Sequence, residues 1–306
     1  MSSGRVEQQV AVVQVNKKKR RGLRRIERSV RPGLRALRWW IQGPYLAMAH
    51  PEALAFYRAV EKKAFLPNDL IDVVPSLNLL YLAIPKAASS RIRGSLAAMI
   101  GRDTVSDWRS DANWKVHRRK SSGLSAPRHG VVQFHRLATE PSALRFTFVR
   151  NPYARLVSCW ADQYADRPLV PGYGRVELYL EHRARVNPKL PVGADKSLSF
   201  AEFVEFACGS TTWRIDRHWQ LQTDIIDLPG IEFNLIGKVE SFASDFGRVL
   251  DHVGADRAMR QATVAPLHTS SRRNISAYFT PELAALVYRS YERDFDRLGY
   301  SRALPD

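Results

Sequence analysis

Cysteine is scarce in this chain of 306 residues, which contains only Cys159 and Cys208. Two cysteines cannot build a disulfide framework or an ordinary cysteine-rich zinc site, so a reducing compartment is the simplest setting. No stretch approaches the roughly 18 consecutive apolar residues of a membrane-spanning helix, and no secretory signal pattern follows the basic N-terminus. We therefore expect a cytoplasmic protein that lacks a transmembrane anchor.

The composition does provide a large core and a strong positive charge. Hydrophobic residues make up 45% of the chain, which excludes disorder of the whole protein, and the formal net charge is +17. Residues 17–38 contain eleven Lys and Arg and one Glu, so this segment alone carries +10. The remaining +7 makes the folded body moderately basic, which suits an anionic ligand.

The basic segment has apolar residues at helical spacing, from Leu23, Ile26 and Val30 onward. We interpret residues 1–45 as an N-terminal arm, partly disordered or amphipathic, and residues 46–306 as the folded domain. The arm could bind an anionic membrane surface peripherally, or pack on the body with its arginines in solvent. Nucleic acid is less favoured as a partner because aromatic residues are not interleaved with the charges.

Beyond the arm, apolar strands alternate with helices. Strands are predicted at residues 77–84, 131–135, 144–149 and 233–237, and helices at 90–100, 152–164, 200–207, 242–253 and 281–295. Cap residues mark three helix starts, at Asn151, Ser199 and Thr280. Strands that lead directly into helices predict an α/β fold whose parallel sheet is covered on both faces and binds ligands at the carboxyl ends of its strands. The polar stretches 105–130 and 166–198 are predicted to be inserted acceptor-binding loops.

The first strand-to-helix junction has the composition of an anion site. A strand ending at Ile84 enters a short turn that contains Lys86, Ala87 and Ala88, and a helix follows at once. Main-chain N–H groups and the helix dipole then converge on one spot, where Lys86 adds a charge and Ser89 and Ser90 add hydroxyl donors. The G-x-x-x-x-G-K-[ST] pattern is absent, which disfavours an ordinary ATP or GTP site.

The second junction repeats this arrangement around an arginine. A strand ends at Arg150, and a helix starts behind the cap Asn151 and Pro152. Ser158 lies seven residues after the cap, about two helical turns, so it returns to the azimuth of the helix start. Arg150 and Ser158 could therefore bind one phosphate together.

Together the two junctions resemble the sulfotransferases that use 3′-phosphoadenosine 5′-phosphosulfate (PAPS), especially the Golgi carbohydrate sulfotransferases and their bacterial relatives. Residues 84–90 are similar to the family's 5′-phosphosulfate loop, and residues 148–158 to its 3′-phosphate segment. Further similarity lies at residues 217–220, 236–240 and 291–300. The resemblance implies a P-loop-like three-layer fold and transfer of a sulfuryl group from PAPS to a hydroxyl of a carbohydrate or glycolipid.

The resemblance also implies roles for individual residues. The 5′ end of the donor is assigned to Lys86, Ala87, Ala88, Ser89, Ser90 and Arg91. Arg150 and Ser158 are assigned to its 3′-phosphate, and Arg272 and Arg273 to a loop that closes over the nucleotide. Lys86 is the candidate that stabilises the leaving phosphate, and the product is adenosine 3′,5′-bisphosphate. No metal ion is expected, because loop amides and cations can neutralise the donor.

An alcohol acceptor must lose a proton, which calls for a general base. His135 is the first candidate because it ends the predicted strand 131–135 and should face the ligand edge of the sheet. His218 is the second candidate base and is also assigned to binding of the sulfuryl acceptor. Glu140 is left open as a third possible base. Two other functions remain open at this point, a P-loop small-molecule kinase and a non-catalytic basic protein that binds membrane or nucleic acid.

Overall fold

The structure is a computed structural model that describes residues 44–64, 70–101, 124, 126–165, 179, 197–209, 216–264 and 274–305. The predicted arm up to residue 43, most of the two predicted acceptor loops, and Arg272 and Arg273 lie outside the described residues. The chain divides into two compact units, residues 1–55 and residues 56–306. In the first unit, residues 44–49 are helical. The second unit contains the sheet and all the described candidate site residues.

Four strands and nine helices of the described residues have defined bounds. The strands are β1 (Ile71–Val74), β2 (Leu79–Leu82), β3 (Leu144–Val149) and β4 (Leu235–Lys238). The helices are α1 (Pro51–Ala64), α2 (Ser89–Met99), α3 (Ala126–Thr139), α4 (Pro152–Gln163), α5 (Phe200–Cys208), α6 (Gln222–Ile226), α7 (Phe242–His252), α8 (Arg257–Val264) and α9 (Pro281–Leu298). Short 3₁₀ turns cover Pro75–Leu77, Val239–Ser241 and Ser276–Tyr278.

The strands form one mixed sheet in the order β1-β2-β3-β4. β2, β3 and β4 are parallel, as the strand-to-helix pattern predicted. β1 is antiparallel to β2, so the expectation of a wholly parallel sheet was wrong at this edge. The short apolar run of β1 lies only a few residues before β2, and a connection of that length permits only an antiparallel neighbour.

The sheet is held by aromatic residues that alternate along its strands. Tyr81 stacks on Phe146 with ring centroids 4.7 Å apart, and Phe148 packs against Phe242 and Phe246 of α7. All four residues of β2 are buried, which requires cover on both faces of this strand. A second cluster joins α4, α5 and α9 around residues such as Leu156, Phe203 and Val287.

Capping chemistry explains where the helices begin. The Asn151 side chain accepts hydrogen bonds from the amides of Tyr153 and Ala154, so α4 starts directly after β3. Ser199 and Glu202 form the predicted capping box of α5, and the Thr280 hydroxyl accepts from the amide of Leu283. These local predictions are confirmed.

The predicted strand at residues 131–135 was wrong, because these residues belong to α3. The two valines before Gln133 favour a strand, but the buried positions Phe134, Leu137 and Ala138 follow a helical spacing. α3 packs against β1, β2 and β3, so burial of that stripe outweighs β propensity. His135 therefore lies on a helix and does not end a strand.

Within the part of the chain that the structure describes, none of the helices combines the length and apolar character that a membrane crossing demands.

Gly237 lets β4 approach the core closely. A Cβ at this position would lie 2.6 Å from Cζ of Phe148, its partner across the strands. We expect Gly237→Ala to lower the free energy of unfolding by about 1–3 kcal/mol through overpacking, measured by urea denaturation. The control is Gly247→Ala in α7, where no atom lies within 4 Å of the added carbon and helix propensity should raise stability by about 0.5–1 kcal/mol. Equal stability of the two variants would contradict the packing at Gly237.

Candidate active site

The turn after β2 adopts a strained backbone at two residues. Lys86 has φ +68° and Ala88 has φ +58°, in the left-handed region that non-glycine residues rarely occupy. The turn closes with a hydrogen bond from the amide of Ala87 to the carbonyl of Ile84, at 3.2 Å. Ala88 is the N-cap of α2 and offers no side-chain acceptor to its first-turn amides. Uncapped first-turn amides and the helix dipole make the start of α2 favourable for an anion.

The turn contacts the second junction directly. Nη1 of Arg150, at the end of β3, lies 3.4 Å from the carbonyl oxygen of Lys86. Nε of Arg155, in α4, donates to the carbonyl of Pro85 at 3.1 Å. Because β2 and β3 are parallel neighbours, their carboxyl ends reach the same edge of the sheet, and the two junctions meet there.

The Lys86 ammonium forms an ion pair with Asp162, which lies near the end of α4. Its Nζ donates to Oδ2 of Asp162 at 2.6 Å, and the two side chains are 14% and 51% exposed. Such a half-exposed pair contributes only about 0–1 kcal/mol to stability. The pair matters for the site because the Asp162 carboxylate lies beside Lys86, the cation that the sequence assigns to the sulfuryl donor.

Ser158 lies on the α4 face that contacts the turn after β2. Arg155, Ser158 and Asp162 follow one another at three- and four-residue intervals, so they form one stripe along the helix. Arg155 contacts the Pro85 carbonyl and Asp162 contacts Lys86. Half-buried Ser158 lies between them on the same stripe, which fits the azimuth predicted from its spacing.

Arg150 is positioned through its main chain. The Gln222 side chain accepts from the amide of Arg150 at 2.9 Å and donates to its carbonyl at 2.8 Å. The buried carboxylate of Asp294 accepts from the amide of Gln222 and from the amide of Thr223. Gln222 is thereby fixed from α9.

The residue after Arg150 is fixed by a carboxylate. Glu240 accepts from the amide of Asn151 through Oε1 at 2.8 Å and from the Tyr300 hydroxyl through Oε2 at 3.1 Å. Burial lowers the pKa of Arg150, and the nearby Glu240 and Tyr300 oppose that shift. The guanidinium is thus a largely desolvated cation, which strengthens its attraction for an anion.

The first turn of α2 carries the remaining residues assigned to the 5′ end. Ser89 and Ser90 are half-buried at the helix start. Arg91 stacks its guanidinium over the ring of Phe242, with Cζ 4.0 Å from the centroid. Burial also lowers the pKa of Arg91. All three residues directly follow the strained turn in sequence, and their assignment to the 5′ end stays a prediction.

His218 forms a pair with Asp216 in the segment that precedes α6. Oδ1 of Asp216 accepts from the amide of His218 at 2.8 Å and lies 2.7 Å from its Nδ1. The next residue, Trp219, is fully buried, and its carbonyl accepts from the Tyr291 hydroxyl. A carboxylate on Nδ1 orients the ring and favours the tautomer whose Nε2 can accept a proton.

The other two candidate bases are placed less favourably. The ring of His135 packs against Phe56, with centroids 5.2 Å apart, on α3 instead of at a strand end. The prediction that His135 faces the ligand edge depended on a strand that ends at this residue, and the structure has a helix there. Glu140 precedes the amino end of β3, where its carbonyl accepts from Arg145, so it lies at the opposite edge of the sheet from Arg150.

Sequence reasoning missed Asp162, Asp216 and Gln222. Asp162 had a usable signal, because it lies one turn beyond Ser158 on the same helical stripe. Asp216 had a weaker one, as a carboxylate two residues before a histidine. The contact of Gln222 with Arg150 depends on a tertiary approach across 72 residues and has no local signal.

The sequence profile of the Sulfotransferase family matches residues 69–301. The chain belongs to this family. The match covers both junctions and the Asp216–His218 segment, and it identifies the protein as a sulfotransferase enzyme. Membership in the sulfotransferase family decides against the kinase and the non-catalytic binding protein that the sequence had left open.

Several curated relatives are carbohydrate sulfotransferases by name. Carbohydrate sulfotransferase 11 of Mus musculus is 26% identical over 256 residues, which cover 79% of this chain and 70% of the relative. Carbohydrate sulfotransferase 8 of Homo sapiens is 26% identical, covering 83% and 62%. Carbohydrate sulfotransferase 14 of Danio rerio is 25% identical, covering 82% and 66%. No solved structure matches the chain.

Neutralising Asp162 should strengthen nucleotide binding. We expect Asp162→Asn to bind adenosine 3′,5′-bisphosphate about fivefold more tightly, because it removes a negative charge that repels the ligand and competes for Lys86. Isothermal titration calorimetry measures this affinity. Asp251→Asn is the matched control, since Asp251 forms an exposed ion pair with Arg260 at 2.8 Å. Weaker binding by Asp162→Asn than by wild type would contradict the placement of the anion beside Lys86.

Proposed function

We propose that the protein transfers a sulfuryl group from PAPS to a hydroxyl of a carbohydrate, either free or carried on a glycolipid. One observation carries the proposal: two strand-to-helix junctions, each with a cationic residue, meet at one sheet edge, with Arg150 Nη1 3.4 Å from the Lys86 carbonyl. A nucleotide with phosphate groups at both ends of its ribose needs two anion sites, whereas a simple nucleoside diphosphate needs one. The names of the relatives support a carbohydrate as the acceptor class.

The residues of the two junctions fit this donor. The first-turn amides of α2 lack a side-chain cap, and Lys86 lies in the turn that immediately precedes them, an arrangement that suits a 5′-phosphosulfate. Arg150 and Ser158 suit the 3′-phosphate, because Arg150 is fixed by Gln222 and Ser158 lies on the facing stripe of α4. A role for Arg272 and Arg273 in closing over the nucleotide stays a prediction. This placement also supports a P-loop-like three-layer fold for the domain.

The chain's own residues then supply position and charge for an in-line displacement. When bound, PAPS supplies the activated sulfuryl group and its phosphate leaving group. Lys86 places an ammonium where negative charge grows on the leaving oxygen, and the loop amides neutralise the neighbouring oxygens. Before the donor binds, the Lys86 ammonium is paired with Asp162, and the donor phosphate then competes with Asp162 for this ammonium.

For the proton of the acceptor we propose His218 as general base in preference to His135. The contact between His218 Nδ1 and Asp216 Oδ1 fixes the ring and stabilises the imidazolium that forms when Nε2 takes the proton. His218 also lies in the segment that Arg155 joins to the donor turn, through the carbonyl of Arg217. The contact that places His135 is with Phe56, away from this segment.

Lys86→Ala should reduce turnover by about 10²–10³-fold, the usual cost of losing one group that stabilises developing charge. The measurement is transfer of ³⁵S-sulfate from labelled PAPS to a panel of neutral and acidic oligosaccharides and glycolipids. Lys62→Ala, which removes an exposed lysine from α1, is the matched control and should keep wild-type turnover. Wild-type turnover by a folded Lys86→Ala protein would refute the catalytic assignment. Absence of transfer to every sugar would refute the acceptor class.

We further propose that the enzyme is cytoplasmic and that residues 1–45 attach it peripherally to the inner membrane face. The +10 charge of residues 17–38 supports this, because basic segments gain energy near anionic lipids. The protein should cosediment with vesicles containing phosphatidylserine, and less at high salt. Deletion of residues 1–45 should abolish cosedimentation, and unchanged binding after the deletion would refute this role of the arm.

A further inference from the structure

Arg155 is a buried cation that donates side-chain hydrogen bonds to three main-chain carbonyls. It is 2% exposed. Nε donates to Pro85 at 3.1 Å, Nη1 to Gln220 at 2.6 Å and Nη2 to Arg217 at 2.7 Å. All three guanidinium nitrogens are therefore engaged, and they reach two segments that lie far from Arg155 in sequence.

Two of these carbonyls belong to residues that directly precede the proposed catalytic residues Lys86 and His218. Pro85 immediately precedes Lys86, and Arg217 immediately precedes His218. The guanidinium thus joins the turn that holds the donor to the segment that holds the proposed base. α4 contacts both parts, because Arg155 bonds to both segments and Asp162, on the same stripe of the helix, contacts Lys86.

Stability alone does not account for this arrangement. Burying an arginine costs several kcal/mol of desolvation, and apolar side chains of similar volume often serve a core as well or better. The planar fork of arginine has a geometric use, because its donors diverge at fixed angles and can fix several acceptors relative to one another. Here the three carbonyl acceptors lie in two different parts of the candidate site, the turn before Lys86 and the segment around His218.

We propose that Arg155 is a positioning residue that couples the donor turn to the His218 segment, so that a displacement of one moves the other. The proposal rests on the proposed function for the roles of Lys86 and His218. The coupling itself is a property of the three hydrogen bonds. It can therefore be measured without substrate.

Arg155→Lys keeps the charge and removes the fork, and Arg93→Lys is the matched control. Arg93 is also buried and also near the site, on α2, but its Nε donates to the carboxylate of Asp72 at 2.6 Å. A lysine can keep an ion pair with Asp72, whereas one ammonium cannot hold three carbonyls in a plane. Both variants remove the same atoms from the interior.

The test uses NMR of the full chain, labelled at alanine methyl groups and histidine rings. In Arg155→Lys, resonances of Ala87 and Ala88 in the turn and of the His218 ring should all shift, and in Arg93→Lys the His218 ring should stay at its wild-type position. Movement of only one of the two segments in Arg155→Lys would overturn the coupling. So would an equal His218 shift in both variants, which would indicate general loosening of the fold.

Two further measurements test the coupling, one for the case that Arg155→Lys does not fold and one on nucleotide affinity. If Arg155→Lys does not fold, the wild-type Arg155 Nε–H and Nη–H resonances are read instead: slow exchange with solvent at all three nitrogens supports the three bonds, and fast exchange at any of them overturns that bond. Affinity for adenosine 3′,5′-bisphosphate should fall about tenfold in Arg155→Lys, the factor that one charge-assisted hydrogen bond supplies. Wild-type protein that does not bind this nucleotide would refute the proposed function, while the resonance shifts would still report on the coupling.

Discussion

Parallel pairing of β2 with β3 is the constraint on which the candidate site depends. It brings the carboxyl ends of two strands to one edge of the sheet, so the turn at Lys86 and the strand end at Arg150 become neighbours across 64 residues of sequence. Each junction alone is a modest anion site made of amides and one cation. Their adjacency is the basis of the proposal that one ligand with two separated negative groups binds across both junctions.

A polar network with a buried centre at Asp294 and Gln222 fixes the second junction. Asp294 in α9 holds Gln222, Gln222 holds both main-chain groups of Arg150, and Glu240 holds the amide of Asn151. Buried polar groups are costly unless each has a partner, so a fully connected network of this kind specifies one geometry. Residues 217–220, 236–240 and 291–300, where the sequence resembles the family, supply contacts to Arg155, Asn151 and Gln222 respectively.

Local signals in the sequence predicted the strands and helices next to the site, because cap residues and short apolar runs act within a few residues. The caps Asn151, Ser199 and Thr280 and the strand end at Arg150 needed no tertiary information. The segment at His135 failed because burial against the sheet decided between two local preferences. Gln222 was missed because its role arises from a contact across 72 residues, whereas the helical position of Asp162 was readable and only its partner Lys86 was not.

The central claim is that the two junctions bind opposite ends of one nucleotide. Calorimetric titration with adenosine 3′,5′-bisphosphate and with adenosine 5′-phosphate, in wild type and in Arg150→Ala, tests this most directly. The account predicts that the 3′-phosphate adds at least about tenfold to the affinity of wild type, the value of one charge-assisted contact, and adds little in Arg150→Ala. Equal affinity of wild type for the two nucleotides, or a 3′-phosphate gain that survives in Arg150→Ala, would contradict it.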